Sequence, residues 1–193
     1  VAKIVGTTGF GFIGGLIAYF VSCAAGMIVH IFFVYQFWIF ISGRKLKNFW
    51  VESKEALVHS FGINSSLATL PITLNTLKKL NVSEGSARMA ACVGTNFNND
   101  GILLYEVVAA LFMIQAYGLS LAVPEQLWLS FICILATIGV GGIPEAGMIS
   151  LAIVLTAIGL PTQDLPALLT VDWVLGRMRS VTNVVGDLSG AIS

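Results

Sequence analysis

The sequence predicts an all-α integral membrane fold with two re-entrant helical hairpins and one broken transmembrane helix, and three observations predict it. Hydrophobic residues make up 56% of the 193 and charged residues only 10%, against about 25% charged in an ordinary soluble domain. No Asp, Glu, Lys or Arg occurs between Lys3 and Arg44. Three later apolar segments are each interrupted by Asn, Ser, Gly or Pro. This composition excludes a disordered tail, a disulfide scaffold and a nucleic-acid binder, and it argues against an ordinary cytosolic enzyme. Ten Lys and Arg balance ten Asp and Glu, so the positions of the charges carry the information.

Residues 1–9, with their GTTG turn signal, read as the end of a preceding transmembrane helix. The start at Val1 rather than Met leads us to expect a piece of a longer membrane protein, and no signal peptide is visible. Residues 10–43 exceed the roughly 20 apolar residues that span a bilayer and predict a long, tilted transmembrane helix. His30 within it reads as a neutral, hydrogen-bonded core histidine rather than a proton carrier. Arg44–Glu55 reads as a basic loop. Residues 55–77 are apolar but carry INSSLATLP. An Asn, two Ser and a Pro leave two arms too short to cross alone, hence a re-entrant hairpin, tolerated at depth only where it is buried in protein or lines a cavity.

Lys78, Lys79 and Arg88 mark a second basic loop. Residues 89–117 form an apolar span containing NFNNDG at 96–101. Those turn formers should unwind the helix and release backbone carbonyls. After a neutral-to-acidic loop, residues 126–159 form a second broken segment, centred on IGVGGIPEAG at 138–147. Residues 167–193 predict a last helix carrying Asp172, Arg177, Arg179 and Asp187. Cys23, Cys92 and Cys133 lie in apolar stretches far from any His at metal-ligand spacing and read as buried fillers, with no disulfide and no zinc.

The two broken segments form a weak internal repeat, each a pair of short arms around a small-residue tip containing Pro. Lys and Arg flank the first and are absent from the loops flanking the second, so the pair is expected to be inverted, one hairpin dipping in from each side. Inverted repeats with broken helices point to a secondary transporter whose site lies where the tips meet. Ionisable groups at membrane depth mark function by default. On the last helix Asp172, Gly176, Arg179, Asn183 and Asp187 are spaced 4, 3, 4 and 4 and share one stripe. Arg179 offers a planar fork for a carboxylate; a structural ion pair between neighbouring helices is the bland alternative. Arg177 points off the stripe and reads as an interface anchor. In the broken span, Asn98 and Asp100 supply hard oxygen ligands for a small hard cation. Ser65 and Ser66 sit at a tip whose helix N-terminus suits a carboxylate, with simple helix capping as the alternative. Glu106 is either a proton-carrying carboxyl or a partner of Arg179. Glu145 is expected at the water boundary, without a required function.

These segments together resemble the dicarboxylate/amino acid:cation symporter family, the glutamate transporters. NSSLATLPIT (Asn64–Thr73), NNDGILLYE (Asn98–Glu106), IGVGGIPEAG (Ile138–Gly147) and DWVLGRMRSVTNVVGDLSG (Asp172–Gly190) carry the resemblance, in family order and spacing, over nearly the whole chain. It implies an elevator-type transport domain lacking most of the scaffold helices that trimerise. It implies substrate contacts at Ser65, Ser66, Ile102, Ile143, Gly147, Gly176, Arg179, Ser180 and Asn183, with Gly142–Gly147 as the gate. Arg179 would pair with a substrate side-chain carboxylate. One sodium would be held by carbonyls of Gly94, Asn98 and Asn183 with the Asp187 carboxylate, another by Asp100, and a third by carbonyls of Asn96, Thr137, Ile138 and Val140. Glu106 matches the acid that takes a proton in the animal members.

The resemblance implies symport of a small acidic substrate, an acidic amino acid or a C4-dicarboxylate, coupled to sodium with protons left open as a second ion. No organic cofactor, no nucleic-acid partner and no enzymatic activity are expected. The expected setting is multi-pass in the cell (inner or plasma) membrane, as a homotrimer in the lipid bilayer. Four departures stand out, one of them Leu67, which ends the serine run at the first tip. Gly176 occupies the place of the Asp that holds a substrate ammonium in the amino-acid transporters. Asn99 replaces a Met beside two sodium sites, and Ile102 a Thr near substrate. A diverged member with weakened cation coupling, conducting anions or moving carboxylate uncoupled, is the alternative reading.

Overall fold

A computed structural model describes residues 11–140 and 145–192. The described residues form helices and turns, with no strand among them. Helix α1 (Gly11–Val29) runs without a break into a π-helical turn (His30–Tyr35) and then α2 (Gln36–Ile41). The stretch Gly14–Ile41 is long and apolar enough to cross a membrane, as is Glu84–Ala116. Its outer side is apolar and exposed, with Phe33 at 71% and Phe40 at 70%, a surface that water would penalise and lipid would accept.

The first broken segment is a helical hairpin of α3 (Leu46–Ile63) and α4 (Ser66–Lys79). The stretch read as a basic loop is therefore helical from Leu46 onward. Phe49, Ser53, Ala56 and Ser60 recur at helical spacing and are buried, while the charges take the outer face. The interruption is only two residues: Asn64, left-handed at φ 59°, and Ser65, whose hydroxyl caps α4 by accepting from the Ala68 amide at 3.1 Å. Pro71 does not contribute to the break but lies inside α4.

The broken span is α5 (Glu84–Phe97) and α6 (Asp100–Ala116), parted at Asn98–Asn99. It begins five residues before the predicted start, because Ser83 caps α5 at the Ser86 amide. The second hairpin is α7 (Val123–Ile138) and α8 (Ala146–Ala157). Residues 1–10, 141–144 and 193, with the expectations placed on them, lie outside the described residues. The chain ends in α9 (Leu165–Ala191), 27 residues long.

Helix α9 packs against α1, α3, α4, α5 and α6 and threads two apolar cores. Its Leu168 and Leu175 join one core with Tyr19, Tyr105, Cys133 and Leu151. Its Val184, Val185 and Leu188 join another with Phe49, Leu77 and Ala91. Between these two anchored ends lies the polar stripe, held rigid because packing on both sides fixes its register. Cys23 and Cys133 are buried as expected, whereas Cys92 is exposed: its α5 turn lies on the outer face.

Candidate functional site

The stripe on α9 faces inward. Asp172 and Arg179 are each 4% exposed, and Asn183 and Asp187 each 2%. Opposite it lie the interruption between α5 and α6 and the N-terminal ends of α4 and α8. A small cavity of about 20 Å³ lies there, room for about one water. Eight of the nine expected substrate contacts line it: Ser65, Ser66, Ile102, Gly147, Gly176, Arg179, Ser180 and Asn183. Ile143 lies outside the described residues. Asn64, Ala146 and Glu145 line it too. Glu145, expected at the water boundary, is exposed, lies in the left-handed region at φ 64° and also borders the cavity.

Arg179 pairs within its own helix. Nη1 donates to Asp172 Oδ1 at 2.6 Å and Nη2 to Asp172 Oδ2 at 3.1 Å. Its guanidinium lies over the Tyr105 ring, 4.0 Å from the centroid, the geometry of a cation–π contact. The ion pair thus bridges two turns of α9 instead of joining neighbouring helices. Glycines let the other elements close on it. A Cβ at Gly147 would stand 2.9 Å from Arg179 Cζ, so a larger residue there would have to displace the guanidinium. The hydroxyls of Ser66 and Ser180 are buried without a hydrogen-bond partner. Arg177, by contrast, is directed outward, donating to the Trp173 carbonyl at 2.5 Å and lying 5.3 Å over the Trp173 ring.

Helices α6 and α9 approach closely at Gly101. Its N–H donates to Asn183 Oδ1 at 2.8 Å. A Cβ there would fall 2.5 Å from the Arg179 carbonyl oxygen and 2.8 Å from its Cα. Backbone cannot yield as a side-chain end can. Gly101→Ala is therefore expected to part the two helices at a cost of about 3 kcal/mol or more. Thermal unfolding of the full-length protein should show a large fall in midpoint; an unshifted midpoint would refute the close approach.

The expected cation ligands fall into three groups. Asn98 Nδ2 donates to Asp187 Oδ1 at 3.0 Å and to the Asn183 carbonyl at 3.4 Å. Gly94 sits against Asp187, so closely that a Cβ would collide with the carboxylate. Asp187 Oδ2 is buried without a partner. Asp100, the second group, meets the first helix: Tyr35 donates its hydroxyl to Asp100 Oδ2 at 2.9 Å, and His30 Nε2 lies 3.0 Å from the same oxygen. His30 is hydrogen-bonded as expected, but it is half-buried rather than in the core, its side chain 21% exposed. In the third group the Asn96 and Thr137 carbonyls both accept from Asn99 Nδ2, at 3.0 and 3.3 Å. Val140 follows on α7, its N–H donating to the Thr137 carbonyl at 3.3 Å, and Ile138 is exposed. Asn99 also accepts from Asn183 Nδ2 at 3.2 Å, tying the interruption to the stripe. Glu106 is fully buried, neither oxygen has a partner, and Arg179 is held by Asp172 instead.

The comparison with known families decides what this arrangement belongs to. The model of the sodium:dicarboxylate symporter family matches residues 1–193. The chain belongs to that family. Among curated relatives, it is similar to excitatory amino acid transporter 1 of Homo sapiens, 40% identical over 194 residues, covering 98% of this chain and 35% of the relative. It is 37% identical over 174 residues to excitatory amino acid transporter 3 of Mus musculus, with 89% and 33% covered. It is 36% identical over 178 residues to an excitatory amino acid transporter of Caenorhabditis elegans, with 91% and 35% covered. The chain spans about a third of the length of these relatives. These relatives are transporters rather than enzymes, and the chain shares their family.

Proposed function

We propose that the full-length protein containing this chain is a sodium-coupled symporter for a small acidic substrate, an acidic amino acid or a C4-dicarboxylate. The observation that carries this reading is the convergence of Arg179 with the N-terminal ends of α4 and α8 on one cavity. Helix N-termini present unpaired N–H groups and a partial positive charge, so three cationic elements face one point. A guanidinium has five N–H donors, and Asp172 takes two. The remainder, with the unpartnered hydroxyls of Ser66 and Ser180, suits a substrate carboxylate. A cavity of about 20 Å³ admits no four-carbon acid, so entry requires the start of α8, at Ala146 and Gly147, to move away from Arg179.

In this reading Gly94, Asn98, Asn183 and Asp187 hold one sodium, Asp100 a second, and Asn96, Thr137, Ile138 and Val140 a third. Sodium would supply a compact positive charge to these hard oxygens. The unpartnered, buried Asp187 Oδ2 supports the first group. The third is the weakest, because the Asn99 amide already satisfies two of its carbonyls. Glu106, buried with neither oxygen bonded, suits a carboxyl that carries a proton, since an uncompensated buried charge is costly.

The two hairpins would be re-entrant from opposite sides, with the Lys and Arg loops of the first on the cytoplasmic side. Transport would follow an elevator movement of this domain. Helices from the rest of the protein would form a homotrimeric scaffold in the cell (inner or plasma) membrane. Uptake of labelled aspartate, glutamate, succinate and malate into liposomes bearing the full-length protein tests the reading. An inward sodium gradient is expected to drive accumulation of at least one of the four. Carboxylate flux indifferent to sodium and proton gradients would replace symport by uncoupled conduction.

A further inference from the structure

The mid-helix turn His30–Tyr35 is π-helical. Its consequence is geometric. In an α-helix, residues five apart are turned about 140° from one another. In a π-turn the hydrogen bonds run i→i+5 and the helix is wider, so such residues come to the same side of it, and turns of this kind occur often at functional sites. His30 and Tyr35 are five apart. Their rings meet edge to face at a centroid distance of 4.6 Å, and both polar atoms reach one oxygen, Asp100 Oδ2. A carboxylate only accepts, so both groups present hydrogens to it. Tyr35 is buried at 4% exposure. Its hydroxyl is admitted by Gly186, where a Cβ would lie 2.6 Å from it. Asp100, Asp187, Asn98, Gly94 and Tyr35 all line one cleft of about 810 Å³, and in it Asp187 Oδ2 lacks a partner.

We propose that this π-turn is a built-in stand-in for the cation: it brings the Tyr35 hydroxyl and the His30 ring N–H together on Asp100, holding the carboxylate when no cation does and yielding when one binds. Tyr35 and His30 are positioning residues that set how tightly Asp100 takes sodium. A cation approaching Asp100 Oδ2 displaces these donors, so their hydrogen bonds are subtracted from its affinity. The inference rests on the sodium-coupled reading above.

The test is equilibrium binding of ²²Na⁺ to the purified full-length protein, with choline replacing sodium at constant ionic strength. Tyr35→Phe keeps the ring and removes one donor. His30→Leu removes the other, and His30→Gln retains an N–H near the Nε2 position. We expect Tyr35→Phe and His30→Leu each to bind sodium on the order of tenfold more tightly, with His30→Gln near the parent. Tightening is the informative sign, because a merely damaged structure weakens binding. Unchanged or weaker sodium binding in Tyr35→Phe overturns the inference while leaving sodium coupling intact, as does an equal shift in His30→Gln and His30→Leu. Absence of saturable ²²Na⁺ binding in the parent overturns both this inference and the coupled reading.

Discussion

Arg179→Ala should both weaken acidic-substrate binding and destabilise the protein, and the two effects should separate in a second variant. Arg179 is 4% exposed and holds Asp172, equally buried, through two hydrogen bonds. Truncating it leaves the Asp172 carboxylate buried and unpaired, which costs about 3–5 kcal/mol. It also removes the cation–π contact with Tyr105 and the donors directed at the cavity. Substrate affinity should fall at least about 30-fold, the equivalent of roughly 2 kcal/mol lost from a buried charge-assisted contact. In Arg179→Ala/Asp172→Asn the stranded carboxylate becomes a neutral amide, so most of the lost stability should return while binding stays lost. Thermal unfolding with and without succinate or aspartate measures both terms. Substrate-induced stabilisation of normal size in the double variant would mean that Arg179 does not receive the substrate carboxylate.

The stripe that makes this prediction possible was legible in the sequence because helical periodicity is a local property. Spacings of 4, 3, 4 and 4 place Asp172 through Asp187 on one face whatever they touch. The interruptions at Asn64–Ser65 and Asn98–Asn99 were legible for a similar reason, since Asn and Ser compete for backbone hydrogen bonds in their own neighbourhood. The partnership of Asp172 with Arg179 was harder. Both lie on the stripe, but whether the guanidinium folds back two turns or reaches a neighbouring helix depends on side-chain packing that spacing does not encode. Helix α3 could have been found at its true start: Phe49, Ser53, Ala56 and Ser60 carry the 4, 3, 4 period, masked by the Lys and Glu residues of its outer face. The π-turn had no such signal. Nothing near His30 announces a changed helical pitch, and its partner Asp100 is 70 residues away.

The choice between amino acid and dicarboxylate turns on Gly176, and here packing changes what the simplest substitution can achieve. The resemblance places an ammonium-binding Asp at this position, which makes Gly176→Asp the obvious way to favour amino acids. A Cβ at Gly176, however, would stand 2.9 Å from Asn64 Oδ1, 3.0 Å from Asn64 Nδ2 and 3.2 Å from Arg179 Nη2. The Asn64 amide fills the space that an aspartate would need, and a carboxylate forced in would be pressed toward Arg179, competing with Asp172 and substrate for its donors. Asn64 stands at φ 59°, a conformation glycine adopts without strain. Asn64→Gly/Gly176→Asp therefore supplies the room together with the charge. We expect the single variant to shift the aspartate-to-succinate affinity ratio little. The double variant should raise it about tenfold or more, as a charge-assisted hydrogen bond to an ammonium would. Succinate has no ammonium to offer, so a new buried carboxylate near its backbone carbons repels it. Competition binding on the two full-length variants reads the ratio directly. If both remain at the parent's ratio while still folded, Gly176 does not face the part of the substrate that distinguishes an amino acid from a dicarboxylate.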